Sequence, residues 1–392
     1  MIYFTQKKII YIYKMEIKTS FGDIFDKLTI LDIKLKNINE QYKLNDINKE
    51  RQYLLSIVNN QMANGYIKYL YNCLYHINMK IYIGLIDIRS INRSSNNDYL
   101  EILEWNDMRF RIKNKINIFL DSLFKEHKGY KVKKVLLLSH LGMGDQITIN
   151  GAVNELSFLY DEVVVVSKQI HKNNMEKLYQ HDKSISILYI NDDVDISPNY
   201  GSSIDKLLNF KNNNYDLFLT SSHKHPIGNN PLKKVINESN EFYEQFYCDI
   251  GLDHHDRKIY TYIPRYNLQI ELYNKLINIC KNYIFIHNKG NFEVEFNYDN
   301  DNILYFSVNE NFYKNFPHHK FYNVWEEFGL YDLLDYVKII ENAKELYMTD
   351  SSFFCLSSVL QLTHIEIKKV YIRKKYYTLK NWSNYINEWS IN

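Results

Sequence analysis

Residues 135–151 read Val-Leu-Leu-Leu-Ser-His-Leu-Gly-Met-Gly-Asp-Gln-Ile-Thr-Ile-Asn-Gly: an apolar run, a Gly-x-Gly-Asp turn, then the opening of a helix. That order predicts a strand feeding a helix through a tight turn, with backbone N–H groups pointing where a phosphate can sit. Glycine is scarce, 12 in 392 residues, yet Gly142, Gly144 and Gly151 fall within ten positions. Glycine kept against such a bias answers a backbone need.

The period of the apolar residues changes on either side of this run. Upstream, Phe21, Ile24, Phe25, Leu28, Leu31, Leu35 and Ile38 recur at three and four residues behind a capping-box pair of Ser20 and Asp23, the pattern of an amphipathic helix. Further helices are predicted at about 47–60, 66–92 and 97–127, the last with Trp105, Met108, Phe110, Ile112, Ile116 and Phe119 on one stripe and Gly129 as its stop. Downstream, strand-like runs at 135–139, 163–167, 185–190 and 217–220 alternate with helical stretches, one of them spanning 237–251, and a turn at Pro264 closes the series. The alternation restarts at 283–287, 303–308, 346–349 and 370–372. Strands alternating with helices predict parallel βαβ units. The expected organisation is therefore a helical domain over 15–130 and two Rossmann-like domains in tandem, over 131–264 and 265–392, with a cleft between them.

With 45% apolar residues over 392, the chain has material for two or three cores. Its 48 basic and 46 acidic residues give a net charge of +2, which supplies no field to gather a polyanion, so nucleic acid is not an expected partner. Cys73, Cys248, Cys280 and Cys355 stand at no metal-ligand spacing, which argues for free thiols, a reducing cytoplasmic setting and no structural zinc. His254, His255, His318 and His319 fall in loops without a companion at metal spacing and receive no role. Residues 1–14 read as a frayed extension ahead of a second start at Met15, and no run of 18 apolar residues without charge predicts a membrane span. The excess of Ile, Asn, Lys and Tyr over Gly, Pro and Ala is that of an AT-rich genome, as in some giant DNA viruses or bacterial symbionts.

Three junctions hold groups able to do chemistry. At the first, Gly142 and Gly144 let the backbone approach a ligand. Asp145 is there either a helix cap or a general base able to take a proton from an acceptor hydroxyl. Position 147 is Ile where a dinucleotide fingerprint needs its third glycine, which counts against a nicotinamide enzyme. At the second, Asp350, Ser351, Ser352 and Phe353 follow a strand and open a helix over 353–362, where hydroxyls and backbone donors suit a diphosphate and equally suit an N-cap. At the third, His287 and Lys289 follow the first strand of the second half, placed to stabilise a departing diphosphate, although a lone histidine at a strand end is as often structural. His223, Lys224 and His225 follow the fourth strand and are expected on the acceptor side, while Asp192, Asp193 and Asp195 read as a solvated loop. No nucleophile elbow, P-loop or convincing Cys/His pair appears.

The strand, Gly-x-Gly-Asp turn and helix at 135–160, together with Asp350-Ser351-Ser352-Phe353, resemble the two motifs of heptosyltransferase-type glycosyltransferases, over about 133–375. The resemblance implies a GT-B type α/β fold and transfer of a sugar from a nucleotide-diphosphate donor to a glycan or other hydroxyl acceptor, inverting and without a metal or other cofactor. It makes Asp145 the base. The segment from Ser20 to Lys34 and that from Asn106 to Asn117 resemble an uncharacterised bacterial helical family associated with surface-polysaccharide genes, and Asp26, Lys27, Asp107, Arg109 and Arg111 are expected there as a charged cluster, either a buried ion-pair network, which is favoured, or an interaction face. The rival expectation is a non-catalytic carbohydrate-binding or scaffolding protein that recruits a protein partner through the helical domain. A one-domain nucleotide-sugar epimerase is the third reading, weakened by the missing glycine and by the lack of a Tyr-x-x-x-Lys dyad after the fourth strand.

Overall fold

A computed structural model of the chain describes residues 18–90, 96–127, 129, 132–139, 142–193, 215–220, 242–290, 292–295, 303–309, 312, 328–372 and 389–391. Residues 1–14, Asp195, His223, Lys224, His225, His318 and His319 lie outside the described residues.

Four long helices come first: α1 (Phe21–Asn37), α2 (Gln41–Met62), α3 (Gly65–Ser90) and α4 (Asn96–Phe119). The Ser20 hydroxyl caps α1 by accepting from the Asp23 N–H at 3.1 Å, and it donates to the Asp23 carboxylate at 2.7 Å. Phe25, Leu28, Ile67, Leu70, Leu74, Ile77, Ile112 and Ile116 are buried together, as the helical period predicts. Gly22 allows the closest approach in this bundle. Its N–H donates to Asn117 Oδ1 at 2.6 Å, and a Cβ there would lie 2.6 Å from the Lys113 carbonyl. The last helix stops at Phe119 rather than at Gly129, because Asp121 takes a left-handed φ of 47° and turns the chain away. The expected charge network divides: Arg109 pairs with Asp26, which also accepts from Asn78; Arg111 reaches Asp161 at 3.0 Å; Lys27 meets Glu50 at the surface.

Two parallel sheets follow. The first has the order β3-β2-β1-β4, with β1 Lys134–Leu138, β2 Glu162–Lys168, β3 Ile185–Ile190 and β4 Leu217–Thr220. The second has the order β6-β5-β7-β8-β9, with β5 Tyr283–His287, β6 Leu304–Ser307, β7 Glu345–Thr349, β8 Ile367–Tyr371 and β9 Ser390–Ile391. The inner strands are continuous apolar runs because helices cover both faces of such sheets. One buried cluster contains residues of both sheets, from Val135 and Val163 to Phe285 and Leu346, joined through Met143, Ile147, Phe353 and Phe354. The helical bundle shares its own core with Phe158 and Tyr260 of the α/β part.

The single helix expected over 146–160 is two: α5 (Met143–Thr148) and α6 (Asn150–Leu159), separated at Ile149 (φ −84°, ψ 1°). The Thr148 hydroxyl donates to the Gly144 carbonyl one turn back, a bond that bends helices. Asn150 Oδ1 then accepts from the Tyr262 N–H at 2.8 Å, and Asn154 Nδ2 donates to the Tyr260 carbonyl at 2.9 Å. Helix α7 (Lys172–Tyr179) connects β2 to β3, and the chain that follows the first sheet, through α8 (Phe242–Cys248) and α9 (Arg257–Tyr260), is thereby pinned onto α6 before α10 (Asn267–Ile279) leads into the second sheet.

Candidate functional site

In each sheet the strand order reverses at one place, and the crevice beyond the carboxyl ends of the strands there is where open α/β sheets take ligands. In the first sheet that place is β1, flanked by β2 and β4, and the chain leaves β1 through Ser139 into Gly142 and α5. In the second it lies between β5 and β7, whose ends carry His287 and Thr349-Asp350-Ser351, with α11 (Val337–Glu341) before β7 and α12 (Ser352–Ser358) after it. Pairing of β5 with β7 sets His287 opposite Met348, so residues 61 positions apart in sequence meet at one edge. The Ser351 hydroxyl lies 3.0 Å from His287 Nδ1.

The two edges face each other. A Cβ on Gly144 would stand 3.0 Å from Cys355 Sγ and 3.4 Å from the Ser352 Cα, so the starts of α5 and α12 are in direct contact. Gly142 is the N-cap of α5 in extended conformation, and Asp145, in the first turn, accepts from the Gly142 N–H. A side chain at 142 would meet Asp145 Oδ2 at 2.7 Å, which is the backbone need that retains this glycine. The capping reading of Asp145 is therefore correct as local geometry, and the carboxylate has a second circumstance beside it. Burial raises its pKa to about 7, and the charge of Asp350 pushes in the same direction against the opposing Gly142 N–H.

Ser351 holds the N-cap position of α12, but its side chain makes no capping bond and turns to His287 instead. Gly290 lets the chain after β5 pass close by: a Cβ there would lie 2.7 Å from the Asp350 carbonyl and 2.9 Å from the Ser351 Cβ. Asn288 is buried, donating to the Val294 carbonyl at 3.3 Å and accepting from Asn309 at 3.1 Å, and Lys289 is exposed on the short bridge to Glu293.

The structure alters several expectations. Burial lowers the His287 pKa to about 4, so its ring is neutral near pH 7 and offers hydrogen bonds in place of charge. Phe353 is core: it is 9% exposed, its ring lies 4.5 Å from that of His287, and Phe285 and Tyr336 back it. The helix expected over 353–362 has only seven residues, Ser352–Ser358, so its hydroxyls and N–H groups weigh more than its dipole. His254 and His255 have companions after all, since the ligand atoms of Asp253, His254 and His255 lie within 4.8 Å of one another. Sequence reasoning passed over Ser139, whose buried hydroxyl at the end of β1 has no hydrogen-bond partner among the described residues. It also passed over Glu155 on α6, fully buried, with a pKa raised to about 8 by that burial. A hydroxyl just beyond a strand was the only signal for the first; nothing in the pattern marked the second.

A cavity of about 450 Å³, lined among others by Tyr66, Phe110, Arg111, Lys115, Tyr160 and His181, opens at the amino-terminal edge of the first sheet, away from Asp145. No helix among the described residues is long and apolar enough to cross a membrane. No family model matches the chain, and no curated protein matches it. Among solved structures, the glycosyl transferase family 9 protein from Veillonella parvula DSM 2008 is similar at 10% sequence identity and a TM-score of 0.35, over 62% of this chain and 80% of that chain.

Proposed function

We propose that the chain is a glycosyltransferase that moves a sugar from a nucleotide-diphosphate donor to a hydroxyl acceptor, inverting the anomeric carbon in one displacement. The observation that supports this most is a buried carboxylate, Asp145, with a pKa near 7 at the carboxyl edge of one parallel sheet, facing the hydroxyl-bearing start of a helix at the edge of another. A base poised near the working pH suits removal of a proton from an alcohol. Asp145 takes the acceptor's proton, the acceptor oxygen bonds to the anomeric carbon, and the bond from that carbon to the diphosphate oxygen breaks. The leaving diphosphate is met by the hydroxyls of Ser351 and Ser352, by the neutral His287 ring and by the exposed Lys289 ammonium, which suits transfer without a metal. Gly142 and Gly144 serve the site by close packing, the first making room for the Asp145 carboxylate and the second for Cys355 and Ser352, which holds the base beside the donor-side helix. Asp350 acts through Asp145, whose proton affinity it raises. This reading goes with the division into a helical domain over 15–130, an acceptor-side domain over 131–264 and a donor-side domain over 265–392.

The test is a thermal-shift panel of nucleotides and nucleotide sugars on the full chain and on Asp145→Asn and Ser351→Ala. A ligand that binds the native state raises its apparent stability. The expected result is stabilisation by one nucleotide family that Asp145→Asn retains and Ser351→Ala loses, with transfer to an acceptor reduced by about 100-fold or more in Asp145→Asn. Absence of any nucleotide-dependent shift overturns the proposal in favour of a scaffold that works through its helical part.

A further inference from the structure

Outside the cleft, the chain places four metal-binding side chains of three types between Cys248 and His255. Helix α8 ends at Cys248, the chain reverses through Gly251 at φ 79°, and a single 3-10 turn spans His254–Asp256. Asp253 caps that turn, accepting from the His255 N–H at 2.9 Å through one carboxylate oxygen and leaving the other to point elsewhere. The rings of His254 and His255 lie 4.0 Å apart. Cys248 Sγ is 4.0 Å from His254 Nδ1.

We propose that Cys248, Asp253, His254 and His255 form a site for a divalent cation of borderline softness, with zinc as the best match. The proposal does not depend on the transferase reading. A thiolate, two imidazoles and a carboxylate are a complete tetrahedral set for such an ion. The ligand atoms of Asp253, His254 and His255 already lie within 4.8 Å of one another, and Cys248 Sγ stands outside that group, 4.0 Å from His254 Nδ1. Zinc–sulfur and zinc–nitrogen bonds of ordinary length put two such atoms about 3.6 Å apart, so the thiol must rotate toward the group to complete the set.

An independent observation on the far side of the ring agrees. Glu244 is buried, and one of its oxygens lies 3.3 Å from His254 Nε2. A carboxylate on one ring nitrogen fixes the tautomer and directs the other nitrogen's lone pair outward, the arrangement found behind metal-bound histidines. Here the freed nitrogen is the one that faces Cys248. The neighbouring carboxylate, Asp256, is engaged with Lys80 and His76 and belongs to a different cluster, so the ligand set stops at Asp253. Asp253 and His255 are exposed and Cys248 and His254 half-buried, which leaves the ion a path from solvent. Binding displaces the Cys248 proton, and affinity rises with pH accordingly. The ion would tie α8 to α9, whose Tyr260 enters the core of the helical bundle, so it would brace the contact between the bundle and the first sheet.

The test is a titration of chelator-treated full chain with cobalt(II), followed by zinc. One equivalent of cobalt is expected to give intense tetrahedral visible bands and a thiolate-to-cobalt charge-transfer band in the near ultraviolet, both lost when zinc is added. Cys248→Ser removes the charge-transfer band and Cys280→Ser keeps it. His255→Ala, a change at an exposed position, weakens binding by at least about tenfold, and Glu244→Gln weakens it by about 10- to 100-fold while keeping the bands. Each variant is checked by circular dichroism for retained fold. Failure to see a charge-transfer band, its persistence in Cys248→Ser, or binding indifferent to His255→Ala overturns the site.

Discussion

Asp145 illustrates how an ordinary carboxylate becomes unusual through placement beside a second one, Asp350. Each alone has a bland account: one completes a helix start, the other precedes an N-cap. Burial opposes the ionisation of Asp145, and the charge of Asp350, brought close by the contact of Gly144 with Ser352, adds to the effect. If Asp145 is the base, transfer rises with pH through an apparent pKa near 7 and then levels, because only the ionised form accepts a proton. Asp350→Asn should move that limb toward lower pH, and a pH profile of kcat for the two proteins checks it; an unmoved limb would remove Asp350 from the proposal. Gly151 presents a different residue-scale constraint. A methyl group there meets the Tyr247 hydroxyl at 2.7 Å and the Arg257 carbonyl at 2.8 Å, and a backbone carbonyl cannot swing aside. Gly151→Ala is expected to cost about 1–3 kcal/mol, measured by urea unfolding.

At the scale of elements, α4 is bound to the first sheet by a buried charge. Lys115 donates to Asp182 at 2.7 and 2.9 Å and to Ser184, and it holds the Asp182 carboxyl below its usual range. Breaking a buried pair by removing one partner leaves the other charge desolvated. Lys115→Met should therefore destabilise the protein by about 3–5 kcal/mol, and adding Asp182→Asn should restore much of the loss, as a double-mutant cycle would show. These elements were largely legible in the sequence because buried parallel strands are written as uninterrupted apolar runs; β3, β4 and β5 fall at their expected residues. Ends and breaks were less so. The stop of α4 depends on a left-handed Asp121, and the break before α6 on Thr148 and on Tyr262, a partner over a hundred residues away. The juxtaposition of Asp145 with Asp350 and the neutrality of His287 were illegible for the same reason: both follow from packing between segments distant in sequence. Cys248 and His254 are only six residues apart, but the reversal at Gly251 that joins them leaves no periodic trace.

For the whole molecule, pH acts on stability through groups buried as acids. Glu155 sits in α6 where the helical bundle meets the α/β part, and its pKa stands near 8 against an ordinary 4.5. Below about pH 4.5 both folded and unfolded chains hold the proton and its contribution is fully present. Between there and pH 8 the unfolded chain releases the proton while the folded one keeps it, so stability falls by an amount on the order of a few kcal/mol. Asp145 acts in the same direction up to about pH 7. Unfolding midpoints measured from pH 5 to 9 should decline, and Glu155→Gln should flatten the decline; a slope unchanged by Glu155→Gln would place its source elsewhere. The apolar core runs from one sheet to the other through α5 and α12. Parting the sheets there would bare Met143, Ile147, Phe353 and Phe354 to water, so the two carboxylates beside that apolar seam keep their spacing for as long as it stays closed.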